Sequence, residues 1–278
     1  MDKLILIDGN SLLNRAYYAM SVFTTKDGLP TNGIFGFVKL LLKIIDDENP
    51  EYLCVAFDVH APTFRHKRYE AYKGTRKPMP EELVVQVPIL KDLLHAMGVC
   101  TVEKAGFEAD DLLGTLSRKF GAECHIYTGD RDCYQLVDEK VSIYFTKRGV
   151  SDLDILNQAN FMQKTGLEPW QIVEEKSLMG DSSDNIPGVR GIGPKNALAL
   201  LQQYGSLDEL YRHLPELAVA IQNKLISQEK EARLSHELAT IKTDVPLDLT
   251  LSDCRIVLPF PEKARELFAK LEFRSLVN

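Results

Sequence analysis

The sequence predicts an α/β fold, a mostly parallel sheet with helices on both faces, followed by an all-helical region. Three observations carry this. Short apolar runs alternate with stretches of helical periodicity over the first half of the chain. From Pro169 onward only helical patterns remain. Most of the apolar runs end in, or lead by a short loop to, a carboxylate, as expected where parallel strands open onto one ligand-binding edge.

In chain order, Leu4–Ile7 reads as a buried strand closed by Asp8-Gly9-Asn10-Ser11, a turn that can also cap a helix. Residues Ile34 to Ile45 carry apolar side chains at helical spacing, and that helix stops before Pro50. Tyr52–Phe57 is a second buried strand, ending in Asp58. A helix over Pro80–Met97 precedes a third strand, Val99–Val102, which leads by a short loop to Glu108, Asp110 and Asp111 at the start of another helix. Cys124–Thr128 is a fourth strand, followed by Gly129, Asp130, Arg131 and Asp132. The later helices are expected over Trp170–Met179, Lys195–Gln203, Leu207–His213, Leu217–Ile226 and Lys230–Ile241, with Ser206 and Glu209 forming a capping box. Pro261–Leu271 closes the chain as a short helix. The expected division is an α/β domain over 1–166 and a helical domain over 167–278.

Composition narrows the function classes. With 278 residues, 45% hydrophobic and 26% charged, the chain has the make-up of a globular protein with a sizeable core. No apolar run approaches the roughly 18 residues of a membrane span, and the N-terminus lacks the pattern of a signal peptide. Cys54, Cys100, Cys124, Cys133 and Cys254 are scattered and lack C-x-x-C spacing. They are expected to be buried thiols in a reducing cytoplasm rather than disulfides or zinc ligands.

The acids are the centre of the reading. A single Asp after a strand is often a helix cap. Four separate segments delivering Asp8, Asp58, Glu108, Asp110, Asp111, Asp130 and Asp132 to one edge are not explained that way. So many like charges need cations, and oxygen-only ligands suit Mg2+ or Mn2+. Asp181 and Asp184, in the loop Met179-Gly-Asp-Ser-Ser-Asp184, supply a further group from the helical region. Two groupings flanking Asp130 and Asp132 suggest two metal ions, with Asp132 approaching both. Such a pair, about 3.5–4 Å apart, suits in-line phosphoryl displacement. Setting these nine acids aside takes the formal charge from −7 to +2, so the acidic total is compatible with a polyanionic substrate.

Two further segments point the same way. In residues 62–80, Arg65, Lys67, Arg68, Lys73, Arg76 and Lys77 alternate with Phe64, Tyr69 and Tyr72, a pattern that can track a phosphate backbone while its rings stack on bases. Lys73 and Arg76 would offset charge growing on a scissile phosphate. Residues Gly188 to Lys195 form a Gly-rich turn that opens a helix, with Arg190, Gly191, Gly193 and Lys195 placed to hold a phosphate. It is not a nucleotide P-loop, because Pro194 precedes Lys195 and Asn196 stands where Ser or Thr is needed.

The motifs ILIDGNSLLNRAYYA, VAFDVHAPTFRHKRYEAYKGTR, GFEADDLLG, TGDRDCYQLV and LMGDSSDNIPGVRGIGPKNA, in this order, resemble the 5′-nuclease (flap endonuclease) family, in particular the N-terminal 5′→3′ exonuclease domains of bacterial DNA polymerase I. The resemblance implies a PIN-like α/β domain with a helical arch at about 62–80 and a helix–three-turn–helix hairpin at about 185–205. It implies a first metal group of Asp8, Asp58, Glu108, Asp110, Asp111 and Asp130, and a second of Asp132, Asp181 and Asp184. Catalytic roles fall on Lys73, Arg76, Asp130 and Asp132. DNA contacts fall on Arg65, Arg68, Tyr72, Lys73, Arg76, Arg190, Gly191, Gly193 and Lys195, with a K+ ion at the 188–195 hairpin. The implied activity is cleavage of nicked, branched or 5′-flapped DNA in replication and repair, by a cytoplasmic monomer joined to a polymerase domain in the full-length protein.

Two rival readings stay open at this level. Asp130-x-Asp132 and Gly180-Asp181-x-x-Asp184 resemble the nucleophile and metal loops of haloacid-dehalogenase-type phosphatases, although Tyr134 stands where that family has Thr or Val. A noncatalytic DNA-junction binder would keep the hairpin without needing the acids.

Overall fold

The computed structural model describes residues 2–148 and 152–276. Six strands, β1 (Lys3–Asp8), β2 (Tyr52–Ala56), β3 (Cys100–Val102), β4 (Glu123–Thr128), β5 (Val141–Arg148) and β6 (Asp152–Leu156), form one sheet in the order β3-β2-β1-β4-β5-β6. The first five are parallel and β6 returns antiparallel on β5. The central strand β1 pairs Leu4 with Tyr52 on one side and with Cys124 on the other. It is apolar from Leu4 to Ile7 because both faces are covered.

The helices of the α/β part are α1 (Gly9–Ala19), α2 (Asn32–Glu48), α3 (Phe64–Arg68), α4 (Glu81–Val84), α5 (Gln86–Ala96), α6 (Ala109–Lys119) and α7 (Phe161–Thr165). The expected helix over Pro80–Met97 is thus two pieces, joined at Val85. One buried cluster holds Ile5, Ile7, Phe37, Leu41, Leu90 and Leu94 under α1, α2 and α5. A second, on the other face, joins Leu6, Leu112, Leu116 and Ile126 to Leu201, Leu210 and Leu225. Its continuity ties the two regions together.

The later helices are α8 (Gln171–Met179), α9 (Pro194–Tyr204), α10 (Leu207–Arg212), α11 (Val219–Ser227), α12 (Glu229–Ala239) and α13 (Glu262–Lys270). The first five pack as one unit around α8, but α13 does not. Its Ala264 and Phe268, with Leu271 and Phe273, join the α/β core, where Phe273 meets Phe35 edge-to-face at 5.2 Å. The region 167–278 is therefore not wholly helical-domain material, because its last helix belongs to the α/β body. Among the described residues, no helix is long and apolar enough to cross a membrane.

Candidate active site

The strand ends place the acids. Asp8 closes β1 and caps α1 by accepting from Ser11 N at 3.0 Å, while Thr128 Oγ1 at the end of β4 donates to its other oxygen at 2.8 Å. Asp58 follows β2 and accepts from Ala109 N at 2.8 Å, which ties it to the first turn of α6. Glu108 is the N-cap of α6, and Asp110 lies in its first turn. Asp130 follows β4 and accepts from Asp132 N at 2.9 Å. Asp8, Asp58, Glu108, Asp110 and Asp130 line one cleft of about 700 Å3, with Lys73 and Arg76 on its rim.

This convergence has an electrostatic cost. Burial, reinforced by Asp58 and Asp130, pushes the Asp8 carboxyl up to about 7. Burial and the charges of Asp130 and Asp8 raise Asp110 well above the usual carboxylate range. Burial and Asp130 raise Asp132 to about 7. These oxygen donors share one cleft and raise one another's carboxyls, a donor set that fits hard divalent cations. Among the described residues, no three of these carboxylates bring oxygens within 4.8 Å of one another.

The helical region delivers the second group. Asp181 N and O pair reciprocally with Ile186 O and N at 3.0 and 2.8 Å, closing a tight loop that turns Asp184 inward. Lys176 of α8, a residue the sequence reading missed, contacts Asp132 and lies 2.6 Å from Asp181. Burial alone would raise Asp181, but the Lys176 ammonium outweighs it and holds that carboxyl at about 2. A lone lysine in a helix whose Ile172, Val173 and Ser177 are buried is the signal that could have found it.

The basic segment departs from expectation. It contributes only the five-residue α3, and its remaining turns lie down on the carboxylates instead of forming a helical arch. Lys73 Nζ lies 2.8 Å from Glu108 and 3.8 Å from Asp184, its backbone N–H donates to Asp184 O at 2.8 Å, and Arg76 contacts Asp184. The Tyr72 hydroxyl sits 3.1 Å from both Glu108 and Asp184. Tyr72 is 3% exposed and its ring cannot stack on a base. Phe64 likewise packs against Phe107.

Arg65 and Asp111 also require correction. Arg65 is 3% exposed and forms a fork to both oxygens of Asp111 at 2.7 and 2.8 Å, while also donating to Leu238 O and Thr240 O. Asp111 additionally accepts from the backbone N–H of Glu108 and Lys242. Its oxygens are saturated by these partners, so it is a structural counter-charge and not a metal ligand, and Arg65 is a structural cation and not a DNA contact. Arg68 lies outside the cleft, paired with Glu237 at 2.7 Å.

The hairpin lies between α8 and α9. Gly188 (φ 58°) packs against Gly180, where a Cβ would strike backbone, and Gly191 (φ 88°) adopts a left-handed turn. Val189 N donates to Leu178 O at 2.8 Å, anchoring the turn to α8. Gly193 caps α9 and Pro194 takes its first position. Arg190, Gly191, Gly193 and Lys195 are exposed on one short stretch.

A parallel sheet whose carboxylate edge meets a second acidic loop and a docked basic segment defines a site suited to metal-assisted phosphoryl transfer. Family models match residues 3–262: "5′-3′ exonuclease, N-terminal resolvase-like domain" over residues 3–166 and "5′-3′ exonuclease, C-terminal SAM fold" over 167–262. The chain belongs to the 5′-3′ exonuclease family. It is 42% identical to DNA polymerase I of Caldicellulosiruptor bescii and 39% identical to that of Bacillus subtilis, each over 99% of its length. It spans about a third of those relatives, 33% and 32%. In fold it is similar to zinc-bound 5′-exonuclease of bacteriophage T5 (TM-score 0.72, 20% identity, 98% of each chain). It is also similar to human GEN1 in complex with Holliday junction DNA (TM-score 0.60, 17% identity, 99% of this chain and 68% of the other).

Proposed function

We propose that this chain is a 5′→3′ exonuclease and structure-specific 5′-flap endonuclease that hydrolyses DNA phosphodiesters in replication and repair, using two or more Mg2+ or Mn2+ ions. The observation that carries the reading is the seating of Lys73 and Arg76 against Glu108 and Asp184. It sets phosphate-binding cations beside oxygen-only ligands on the rim of one cleft. Asp8, Asp58, Glu108, Asp110 and Asp130 would hold one part of the metal set, and Asp132, Asp181 and Asp184 the other. When bound, such ions activate water and stabilise the leaving oxygen.

The chain's own groups do the rest. Lys73 and Arg76 bind and orient the scissile phosphate by exchanging a carboxylate partner for a phosphate oxygen. Tyr72 positions Glu108 and Asp184 through its hydroxyl. Lys176 holds Asp132 and Asp181 together at the interface between the two regions. Arg190, Gly191, Gly193 and Lys195 grip the duplex through cations and backbone N–H groups, with K+ at the same turn. The related polymerases support a covalently attached polymerase domain, and a solved T5 flap endonuclease with DNA and metal ions shares the fold at TM-score 0.71. The protein acts as a cytoplasmic monomer on nicked, branched or 5′-flapped duplex.

Incubation with a 5′-flap substrate and Mg2+ or Mn2+, with product mapping, tests this. Cleavage at the flap junction that chelation abolishes is expected. Intact binding with no cut in either metal would overturn the reading.

A further inference from the structure

Three of the five cysteines, distant in sequence, meet at the sheet edge away from the carboxylates. Cys54 of β2 and Cys100 of β3 are register partners on adjacent parallel strands. Cys254 is brought to them by a short 3-10 turn, Leu251–Cys254. The chain that follows is fixed to β2 through a Tyr52–Arg255 bridge and an Ile256 N to Glu51 O hydrogen bond of 3.1 Å. The three sulfurs lie within 4.8 Å of one another, with Cys254 Sγ 3.9 Å from Cys100 Sγ, and among the described residues this is the only such grouping of Cys, His, Asp or Glu.

We propose that Cys54, Cys100 and Cys254 form a trithiolate site for a soft divalent ion of the zinc–cadmium class, separate from the carboxylate centre. Metal–sulfur bonds of about 2.3 Å in tetrahedral geometry place sulfurs about 3.8 Å apart, close to the observed spacing. Cys54 and Cys254 are buried while Cys100 is half-buried, so the fourth position opens to solvent beside Cys100. Binding displaces the thiol protons to solvent and clamps the 251–254 turn onto β2 and β3.

The test is a Cd2+ titration of the full chain in saturating Mg2+, read by thiolate-to-metal charge-transfer absorbance. One ion per chain is expected, with the band lost in Cys100→Ser and in Cys254→Ser and kept in Cys124→Ala. On the unsubstituted chain, Cd2+ should slow alkylation of Cys100 by about tenfold or more, mapped by mass spectrometry. Absence of the band, its survival in both serine variants, or unchanged Cys100 alkylation would overturn the proposal. The alkylation arm decides the matter if a serine variant does not fold.

Discussion

Lys176 Nζ lies 2.6 Å from Asp181 Oδ2 and contacts Asp132 from the same position, so one buried ammonium joins an acid of the α/β sheet edge to an acid of the helical region. Its side chain is 9% exposed and those of its partners 15% and 18%, so the group is shielded from solvent screening. Lys176→Met leaves two largely shielded, half-buried carboxylates without their counter-charge. In EDTA the variant should lose about 3 kcal/mol of stability, the range for breaking a buried ion pair. Mg2+ should restore more of that loss than it adds to the unsubstituted chain. Urea unfolding with and without Mg2+ measures both, and equal Mg2+ effects would sink the assignment.

Asp8 and Asp132 predict a pH dependence. Their folded-state carboxyls sit at about 7 against 3.8 in the unfolded reference, so the folded chain binds more protons between those values. Stability from these groups is complete below about 4 and is lost as pH rises through about 7. In EDTA the melting temperature should fall between pH 5 and pH 8. With saturating Mg2+ the slope should flatten, because an ion replaces the protons. A melting temperature that rises over this interval in EDTA would contradict the assignment.

Arg65→Met tests the distinction between a structural and a DNA-facing cation. Arg65 donates to both oxygens of Asp111 and to Leu238 O, all buried, and to the half-buried Thr240 O at the end of α12. The substitution should cost about 3–5 kcal/mol by leaving Asp111 unpaired. Duplex affinity of the folded fraction should stay within about twofold, since no phosphate contact is removed. A large affinity loss at full stability would return Arg65 to the DNA interface.

Lys73→Ala and Lys195→Ala should separate cutting from holding. Lys73 sits on the cleft rim beside Glu108, so its loss should slow single-turnover cleavage by about 100-fold with duplex binding nearly intact. Lys195 is exposed on the hairpin, so its loss should weaken binding and reduce the salt slope by about 1. Unchanged affinity of Lys195→Ala at moderate salt would remove the hairpin from the binding surface.

The parallel core was legible because β1 and β2 are buried on both faces and read as apolar runs, and because β4, though interrupted by His125, runs directly into the Gly129–Asp130 turn. β5 escapes that reading. Val141, Ile143 and Phe145 alternate with polar residues, and no acid follows to mark a strand end. Most of the carboxylates were legible because they sit at strand or helix boundaries, where sequence position implies spatial position. Asp111 and Arg65 were misassigned because adjacency in sequence does not reveal which face of α6 a side chain takes. Asp110 points to the cleft, and its neighbour Asp111 points to the interior, where Arg65 meets it. Convergence of Cys54, Cys100 and Cys254 was invisible for a related reason: it depends on a turn more than 150 positions from its partners, where no pattern announces the return.

That return has a mechanical consequence. Because α13 and the strand-like segment before it rejoin the α/β body, the helices from α8 to α12 are an insertion held at both ends, not an appendage on a single tether. An appended domain can swivel about one linker, but a two-point attachment removes most of that freedom. The hairpin at Gly188–Lys195 and the acids at Asp181 and Asp184 are therefore carried on one braced frame. A duplex seated on the hairpin would meet the cleft at a fixed offset, set by the architecture and not by a search through domain orientations.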